Sequence, residues 1–374
     1  MNLIVDLSYC FHMDFHPLSK GKNPLSTQSG KNQLAKSVAT RIFSVVETLP
    51  IENVVLCNDA KSWRKEFYTG YKKSREVKKD GSKGSMDEKT LKEFYNTIDD
   101  FCNAVKTKGV IISKVPGAEG DDLLYLWSKH FNDNGKNCLI MSGDRDSVQL
   151  VSPATENKGW TIVWTNSWKN QTFFVPNGWT NKKIDIFEIS NTMDETSIQT
   201  LSNNLFATIT EMTDPTSIVL NKILLGDDGD DIPAVWDNGE KRLTPKKSEL
   251  VIDYIKNKGL SIGAWPIISK DDNLLNELSG AILRTMNAID GVAERSDVIK
   301  NFRRNEKLVW IEKNMLPEVL VNEFDRHQSE VILESDSYRD PINWRRNTIL
   351  SGTKLDGYAA SKEHDPFAFM DLPI

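Results

Sequence analysis

No stretch of this sequence approaches the roughly twenty consecutive apolar residues needed to cross a bilayer, which removes membrane-spanning roles. The N-terminus has neither a basic leader nor a small-residue cleavage site and opens on the strand-like Leu3-Ile4-Val5, so a cytoplasmic location is expected. Cysteine is scarce. Cys10, Cys57, Cys102 and Cys138 are far apart, and of the five histidines only His12 and His16, close to Cys10, share a short stretch, which argues against disulfides and a four-ligand zinc site. Cys57 and Cys138 sit in apolar runs, where cysteine behaves as a small buried hydrophobe. Nor is there a surplus of positive charge: the net charge is -6, on average the wrong sign for a partner that is a polyanion.

The average hides the placement. Between positions 61 and 83 nine basic residues face three acidic ones, a run that by itself reads as a solvated helix face. The 374 residues, 39% hydrophobic and 27% charged, suit a globular protein of two or three domains. Short apolar runs recur, and each leads to carboxylates: Leu3-Ile4-Val5 to Asp6, Val54-Val55-Leu56-Cys57 to Asp59, Val110-Ile111-Ile112 to Glu119, Asp121 and Asp122, and Cys138-Leu139-Ile140-Met141 to Asp144 and Asp146. Helix-like stretches at 33–49, 87–106 and 122–131 are long enough to be crossovers. Uninterrupted strands joined by crossovers form a parallel sheet covered on both faces, which binds ligands beyond the carboxyl ends of its strands. The scattered acids therefore collect along one edge.

Two β-prone runs, 160–164 and 172–175, read as a hairpin around Lys169-Asn170 that extends the sheet. Residues 185–212 are polar and read as a surface excursion or a linker. A helix over 215–225 leads into Gly226-Asp227-Asp228-Gly229-Asp230-Asp231, and another starts at Thr244-Pro245, with threonine as cap and proline in the first turn. The chain is mostly helical to about 328 and ends in an aperiodic tail.

An Asp144-Arg145-Asp146 turn is as often a pair of solvated acids as a cation site, and Glu119-Gly120-Asp121-Asp122 reads equally as favourable charge at a helix start. Several such clusters at one sheet edge would repel unless cations neutralised them. Oxygen-only ligands point to magnesium, with manganese as a substitute. Two such ions about 4 Å apart serve phosphate chemistry without a histidine base. An EF-hand fails, because neither Asp144 nor Asp227 opens the required ligand spacing. A haloacid-dehalogenase-type phosphatase is the better rival through its acidic 226–231 motif, but the residue two places after Asp6 is Ser8 rather than a second acid. A catalytically silent junction-binding protein is the alternative of another class.

These residues in this order resemble the 5′-nuclease or flap endonuclease family, and within it the T-even bacteriophage ribonuclease H type. The similarity is carried by Val5-Asp6, the 54–65 run through Asp59, Lys61 and Arg64, Tyr71-Lys72-Lys73-Ser74-Arg75, Gly117-Ala118-Glu119-Gly120-Asp121-Asp122, Ser142-Gly143-Asp144-Arg145-Asp146, the 225–233 run and Leu308-Val309-Trp310-Ile311. It implies an α/β, PIN-like nuclease domain over 1–212 with flanking helices and a helical, basic arch at about 61–95. A mainly helical duplex-binding domain with a variant helix-three-turn-helix follows over 213–335, and a tail over 336–374. It implies one metal site around Asp6, Asp59, Glu119 and Asp121 and a second around Asp144, Asp146, Asp227 and Asp230, with Asp122 nearby and Asp121 and Asp144 as candidates to bridge both. Lys72 and Arg75 become the phosphate clamps, and Lys61, Arg64 and Lys73 further contacts. Tyr71 becomes a stacking surface for a terminal base, and Gly81-Ser82-Lys83-Gly84-Ser85 a mobile arch tip.

Where most members carry a Gly-x-Gly hairpin after the acidic loop, this chain has Ala234-Val235-Trp236-Asp237-Asn238-Gly239-Glu240-Lys241-Arg242. That leaves the family's potassium-mediated phosphate contact open and assigns direct contacts to Lys241, Arg242, Lys246 and Lys247. The implied activity is 5′-3′ exonuclease, flap endonuclease and ribonuclease H cleavage by a monomer acting on DNA and RNA–DNA hybrids in primer removal. The Asp365-Pro366-Phe367-Ala368-Phe369-Met370-Asp371-Leu372 tail reads as a docking peptide for a sliding clamp or single-strand binding protein, or as a segment packing on its own domain.

Overall fold

In the computed structural model, the alternation of apolar runs and crossovers becomes one seven-stranded sheet. The structure describes residues 1–19, 23–49, 51–77, 86–166, 171–178, 208–212, 215–257 and 270–338. The chain divides into two units: 1–62, 79–212 and 318–374 form the first, and 63–78 and 213–317 the second.

The first unit runs β1 (Asn2–Asp6), α1 (Leu7–Leu18), α2 (Gln28–Thr48) and β2 (Asn53–Cys57). After α3 (Arg64–Phe67) and α4 (Lys73–Val77) of the second unit come α5 (Glu88–Lys106), β3 (Ile111–Ser113), α6 (Gly120–Asp133) and β4 (Cys138–Ser142). Then follow β5 (Thr161–Asn166), β6 (Gln171–Pro176) and β7 (Thr208–Met212). The sheet order is β3-β2-β1-β4-β5-β6-β7; the first five strands are mutually parallel, β6 is antiparallel to β5, and β7 pairs parallel with β6. β1 is central because it is apolar on both faces. Leu3 and Val5 pack into the cluster holding Phe11, Phe94 and Phe101, whose rings meet edge to face. Alternate residues Ile4, Val55 and Ile140 are equally buried on the opposite face, where α6 crosses β1, β2 and β4.

Two sequence expectations change here. The 213–335 segment is not one unit: α11 (Glu318–Tyr338) packs with the first, through Phe324 edge-on to Trp127 at 5.4 Å and a Ser335 hydroxyl donating to the Gly109 carbonyl at 2.7 Å. Helical periodicity reveals that a helix exists, not which core its apolar stripe joins. The end of the polar 185–212 stretch is an edge strand, since Thr208–Met212 needs only half-burial and the open side of β6. Residues 185–207, the Lys169-Asn170 turn, the arch tip at 81–85 and the tail beyond 338 lie outside the described residues. Of the expected arch, 88–95 is the first part of α5, with Phe94 fully buried. Among the described residues no helix is long and apolar enough to cross a membrane.

The second unit gathers α3 and α4 with α7 (Pro215–Leu225), α8 (Pro245–Asn257), α9 (Asp272–Met286) and α10 (Val292–Val309) around Leu220, Ile223, Leu224, Val235, Ile282 and Phe302. Its acidic loop is tied down by buried Asn305, whose amide donates to the carbonyls of Ile223 at 2.9 Å and Pro233 at 2.8 Å, one on each side of the loop. Asn305→Ala leaves the Ile223 carbonyl without this donor and the Pro233 carbonyl with Arg304 alone, and is expected to cost about 1–3 kcal/mol, read as a lower denaturation midpoint at unchanged m-value. An unaltered midpoint would show that the loop does not depend on Asn305.

Candidate metal centre and acidic loop

The carboxyl ends of β1, β2 and β4 bring the first group of acids together. Asp6 ends β1 and caps α1, one oxygen accepting the Tyr9 backbone N–H at 3.0 Å and the other the Ser142 hydroxyl at 3.0 Å. The Ser142 oxygen in turn accepts the Asp144 N–H at 3.2 Å, so one hydroxyl links the ends of β1 and β4. Asp59, two residues beyond β2, accepts the Gly120 N–H at 2.5 Å. Gly120 is glycine for a local reason: a β-carbon there would stand 3.2 Å from an Asp59 oxygen and 3.6 Å from an Asp6 oxygen. The two carboxylates thus converge on the first turn of α6. At Gly143 a side chain would occupy the Tyr9 ring, 1.6 Å away.

Electrostatics agree with this crowding. Burial, and then the negative charge of Asp59, push the Asp6 carboxyl up to about 7, with a smaller push from Asp144. The Cys57 thiol is raised well above its ordinary value by burial and then by the negative charges of Asp6, Asp59 and Asp121. Glu119 caps α6 and forms a capping box with Asp122, whose buried carboxylate accepts the Glu119 N–H at 3.0 Å. Asp144 caps the following 3-10 turn and accepts the Asp146 N–H at 3.0 Å. Among the described residues no three of His, Cys, Asp and Glu stand together closely enough to hold a metal ion as placed. The donor set, carboxylate oxygens crowded against their own repulsion, fits a hard divalent cation that retains several waters.

The second unit holds the other candidates. Gly226 takes a left-handed backbone (φ +71°), where a β-carbon would strike the Ile232 carbonyl oxygen at 2.2 Å. Asp227 and Ile232 close the loop through two backbone hydrogen bonds of 2.7 and 2.9 Å. Burial alone would raise the Asp227 carboxyl; Lys222, 2.7 Å away, and the backbone N–H groups of Gly229 and Asp230 outweigh it and hold the carboxyl below its usual range. Asp230 takes a hydrogen bond from the Tyr71 hydroxyl at 3.2 Å and ion pairs from Arg75 at 2.6 Å and Lys72 at 3.9 Å. Arg75 also donates to the Gly229 carbonyl at 3.2 Å. Lys72 (φ +53°) and Asp231 (φ +55°) are both left-handed, and the Ser74 N–H donates to the Asp231 carboxylate at 2.7 Å. The expected clamp residues are therefore docked on the acidic loop.

Two expected nucleic-acid contacts are corrected by burial. The Tyr71 ring is 4% exposed inside the second core, so its faces are not offered to a base. Arg64 is 3% exposed, lies over the Trp63 ring at 4.8 Å and donates to the Leu308 carbonyl at 2.9 Å; it is a packing residue. Lys61, Lys73, Lys241 and Lys246 are exposed and Lys247 half-buried, while Arg242 makes a two-pronged pair with Asp228 at 2.8 and 3.0 Å. Sequence reasoning missed Tyr9 and Ser142. The signal for Ser142 was its place as the last residue of the strand beside β1, and for Tyr9 the glycine at 143.

A carboxyl whose folded pKa lies above its unfolded one contributes stability at low pH that is lost as pH rises towards the folded value. For Asp6 the window runs from about 4 to about 7. In chelator, Asp6→Asn should therefore melt above wild type at pH 8 and lose that advantage at pH 4. Equal melting temperatures for the two proteins at both pH values would contradict the crowded-carboxylate picture.

Residues 1–179 match the model of the 5′-3′ exonuclease N-terminal, resolvase-like domain. The 5′-3′ exonuclease of Aquifex aeolicus (strain VF5) is 29% identical over 132 residues, 34% of this chain and 42% of that protein. That of Buchnera aphidicola subsp. Acyrthosiphon pisum (strain APS) is 24% identical over 155 residues, 41% and 49% of the two chains. The chain thus spans under half the length of the curated relatives it matches. The bacteriophage T5 5′-exonuclease with divalent zinc ions bound has the same fold at a TM-score of 0.55 and 18% identity, over 89% of this chain and 99% of that one. A bacteriophage T5 flap endonuclease in complex with DNA and metal ions gives 0.51 and 16%, over 90% and 100%. Residues 1–179, with their sheet order and strand-end acids, thus form a domain that matches the 5′-3′ exonuclease N-terminal, resolvase-like family.

Proposed function

We propose that the protein is a metal-dependent hydrolase of phosphodiester bonds, a 5′-3′ exonuclease and flap endonuclease acting on DNA and RNA–DNA hybrids. Its role is removal of RNA primers and adjacent DNA in phage-type replication. The observation that carries this reading is the convergence of Asp6 and Asp59 on the first turn of α6 in a domain of this family. Two magnesium ions, replaceable by manganese, would supply Lewis acidity and a water nucleophile at neutral pH. Asp6, Asp59, Glu119 and Asp121 would hold one, with Asp144 and Asp146 serving the second. Asp122, occupied by the Glu119 N–H, orients the first turn of α6. Asp227 and Asp230, assigned by resemblance to the second ion, already bind Lys222 and the Tyr71-Lys72-Arg75 group.

Lys72 and Arg75 present fixed positive charge for a phosphate whose negative charge grows in the transition state. Asp230 holds the two cations in place until a phosphate oxygen takes over as their partner. Lys241 and Lys246, both exposed, and half-buried Lys247 provide charge around the start of α8 for the duplex backbone.

End-labelled flap, nicked and RNA–DNA hybrid substrates, with and without magnesium, test this. Asp144→Asn should lose cleavage and keep substrate binding; cleavage at the wild-type rate would remove Asp144 from the site. Arg75→Ala should slow the single-turnover rate by roughly 10²–10³-fold, the loss typical of one transition-state donor. If Arg75→Ala cleaves normally while the wild type hydrolyses small phosphomonoesters, the protein is a phosphatase instead.

A further inference from the structure

Within the second unit, away from the acidic loop's carboxylates, α3 and the residue after it face α10 across a cavity of about 490 Å³. That volume falls in the range of small-ligand pockets. Its walls are of two kinds. Phe67 and Tyr68 supply aromatic surface, with Ile299 beside them, and Lys300, Arg303 and Arg304 supply positive charge; among the described residues no acidic side chain lines it. Phe67 is 50% exposed, a large ring left in solvent, whereas neighbouring Trp63 is buried. Tyr68 is held by Arg304, whose guanidinium lies 5.2 Å from the ring centroid. The Tyr68 ring also packs so closely on Gly70 that a β-carbon there would lie 2.6 Å from it. Arg304 is itself fixed by hydrogen bonds to Asn301 at 3.0 Å, Asn305 at 2.9 Å and the Pro233 carbonyl at 3.3 Å. Arg303 is paired with the exposed Asp272 at 2.5 Å. Lys300 is exposed and makes no ion pair with any described residue.

A pocket with an exposed aromatic face, an uncommitted ammonium and no acid matches a flat ring carrying an anion. We propose that it binds one nucleotide, its base against Phe67 and its phosphate on Lys300, with Tyr68 and Arg304 forming the rigid wall. The chemistry is shared by a free nucleotide and by one unit of a single strand; the choice of a strand rests on the nuclease activity proposed above. Because bases stack on an aromatic ring without regard to sequence, such a contact holds a strand outside the reacting bond.

Binding is measured by fluorescence anisotropy in chelator, so that no cleavage occurs, with a labelled oligothymidylate and separately with a labelled nucleoside monophosphate. Phe67→Ala and Lys300→Glu lie on the surface and leave both cores intact; each is expected to weaken binding roughly tenfold. Loss with the oligonucleotide alone identifies a strand subsite, and loss with the mononucleotide as well identifies a nucleotide pocket; either supports the proposal. Wild-type affinity in both variants for both probes, or a wild type that binds neither, overturns it. Cleavage by Asp144→Asn is scored separately, so failure of the nuclease reading is distinguishable from failure of the pocket.

Discussion

One constraint organises the first unit: a carboxylate must sit at the buried end of the central strand. β1 is flanked by β2 and β4 in parallel register, so whatever ends β1 is crowded by whatever follows its neighbours. Here those residues are Asp6, Asp59 and the Ser142–Asp144 turn. Burying a charged carboxylate is costly unless it is hydrogen-bonded and paired. Asp6 has its hydrogen bonds, from Tyr9 and Ser142, but its nearest charged neighbours are acids. The deficit is relieved by a proton, which the raised pKa reflects, or by a cation. Gly120 and Gly143 serve the same constraint, one letting the α6 backbone approach two carboxylates and the other letting Tyr9 close over the turn.

Much of this was legible in the sequence because strand ends are punctuated by the chemistry they carry. Apolar runs mark β1 to β4 within a residue or two, and the parallel-sheet rule assigns the acids that follow them to one edge. What was not legible depends on tertiary packing. Basic residues between 61 and 75 look alike in a sequence, yet Arg64 is buried against Leu308 while Arg75 is 57% exposed on its side chain. Tyr71 reads as a solvent-facing aromatic in a polar segment, but its ring completes the second core. Asp122 reads as one more acid in a cluster, and its hydrogen bond turns it into a helix cap.

The same limit explains the two units. Chain order suggested a boundary near 212, but 63–78 interrupts the first unit and pairs with 213–317, and α11 returns to the first. An excursion of sixteen residues carrying Lys72 and Arg75 is bound to the acidic loop by the Lys72 N–H to the Asp230 carbonyl and the Ser74 N–H to the Asp231 carboxylate. Those backbone contacts fix where the Lys72 and Arg75 side chains start.

Under the proposed clamp role, that arrangement lets Arg75 be held and still change partners. Arg75 bonds Asp230 through a guanidinium that is more than half exposed, and exposed ion pairs are worth little in water. A phosphate oxygen offers the guanidinium an anion of the same kind, so transfer from Asp230 to a phosphate exchanges one charge-assisted bond for another. The cost of recruiting Arg75 is then small, while the Gly229 carbonyl and the left-handed Lys72 backbone keep it aimed. Under that proposal Asp230 is a place-holder for phosphate, since its partners, the Tyr71 hydroxyl, the Lys72 ammonium and the Arg75 guanidinium, are donors suited to a phosphate oxygen.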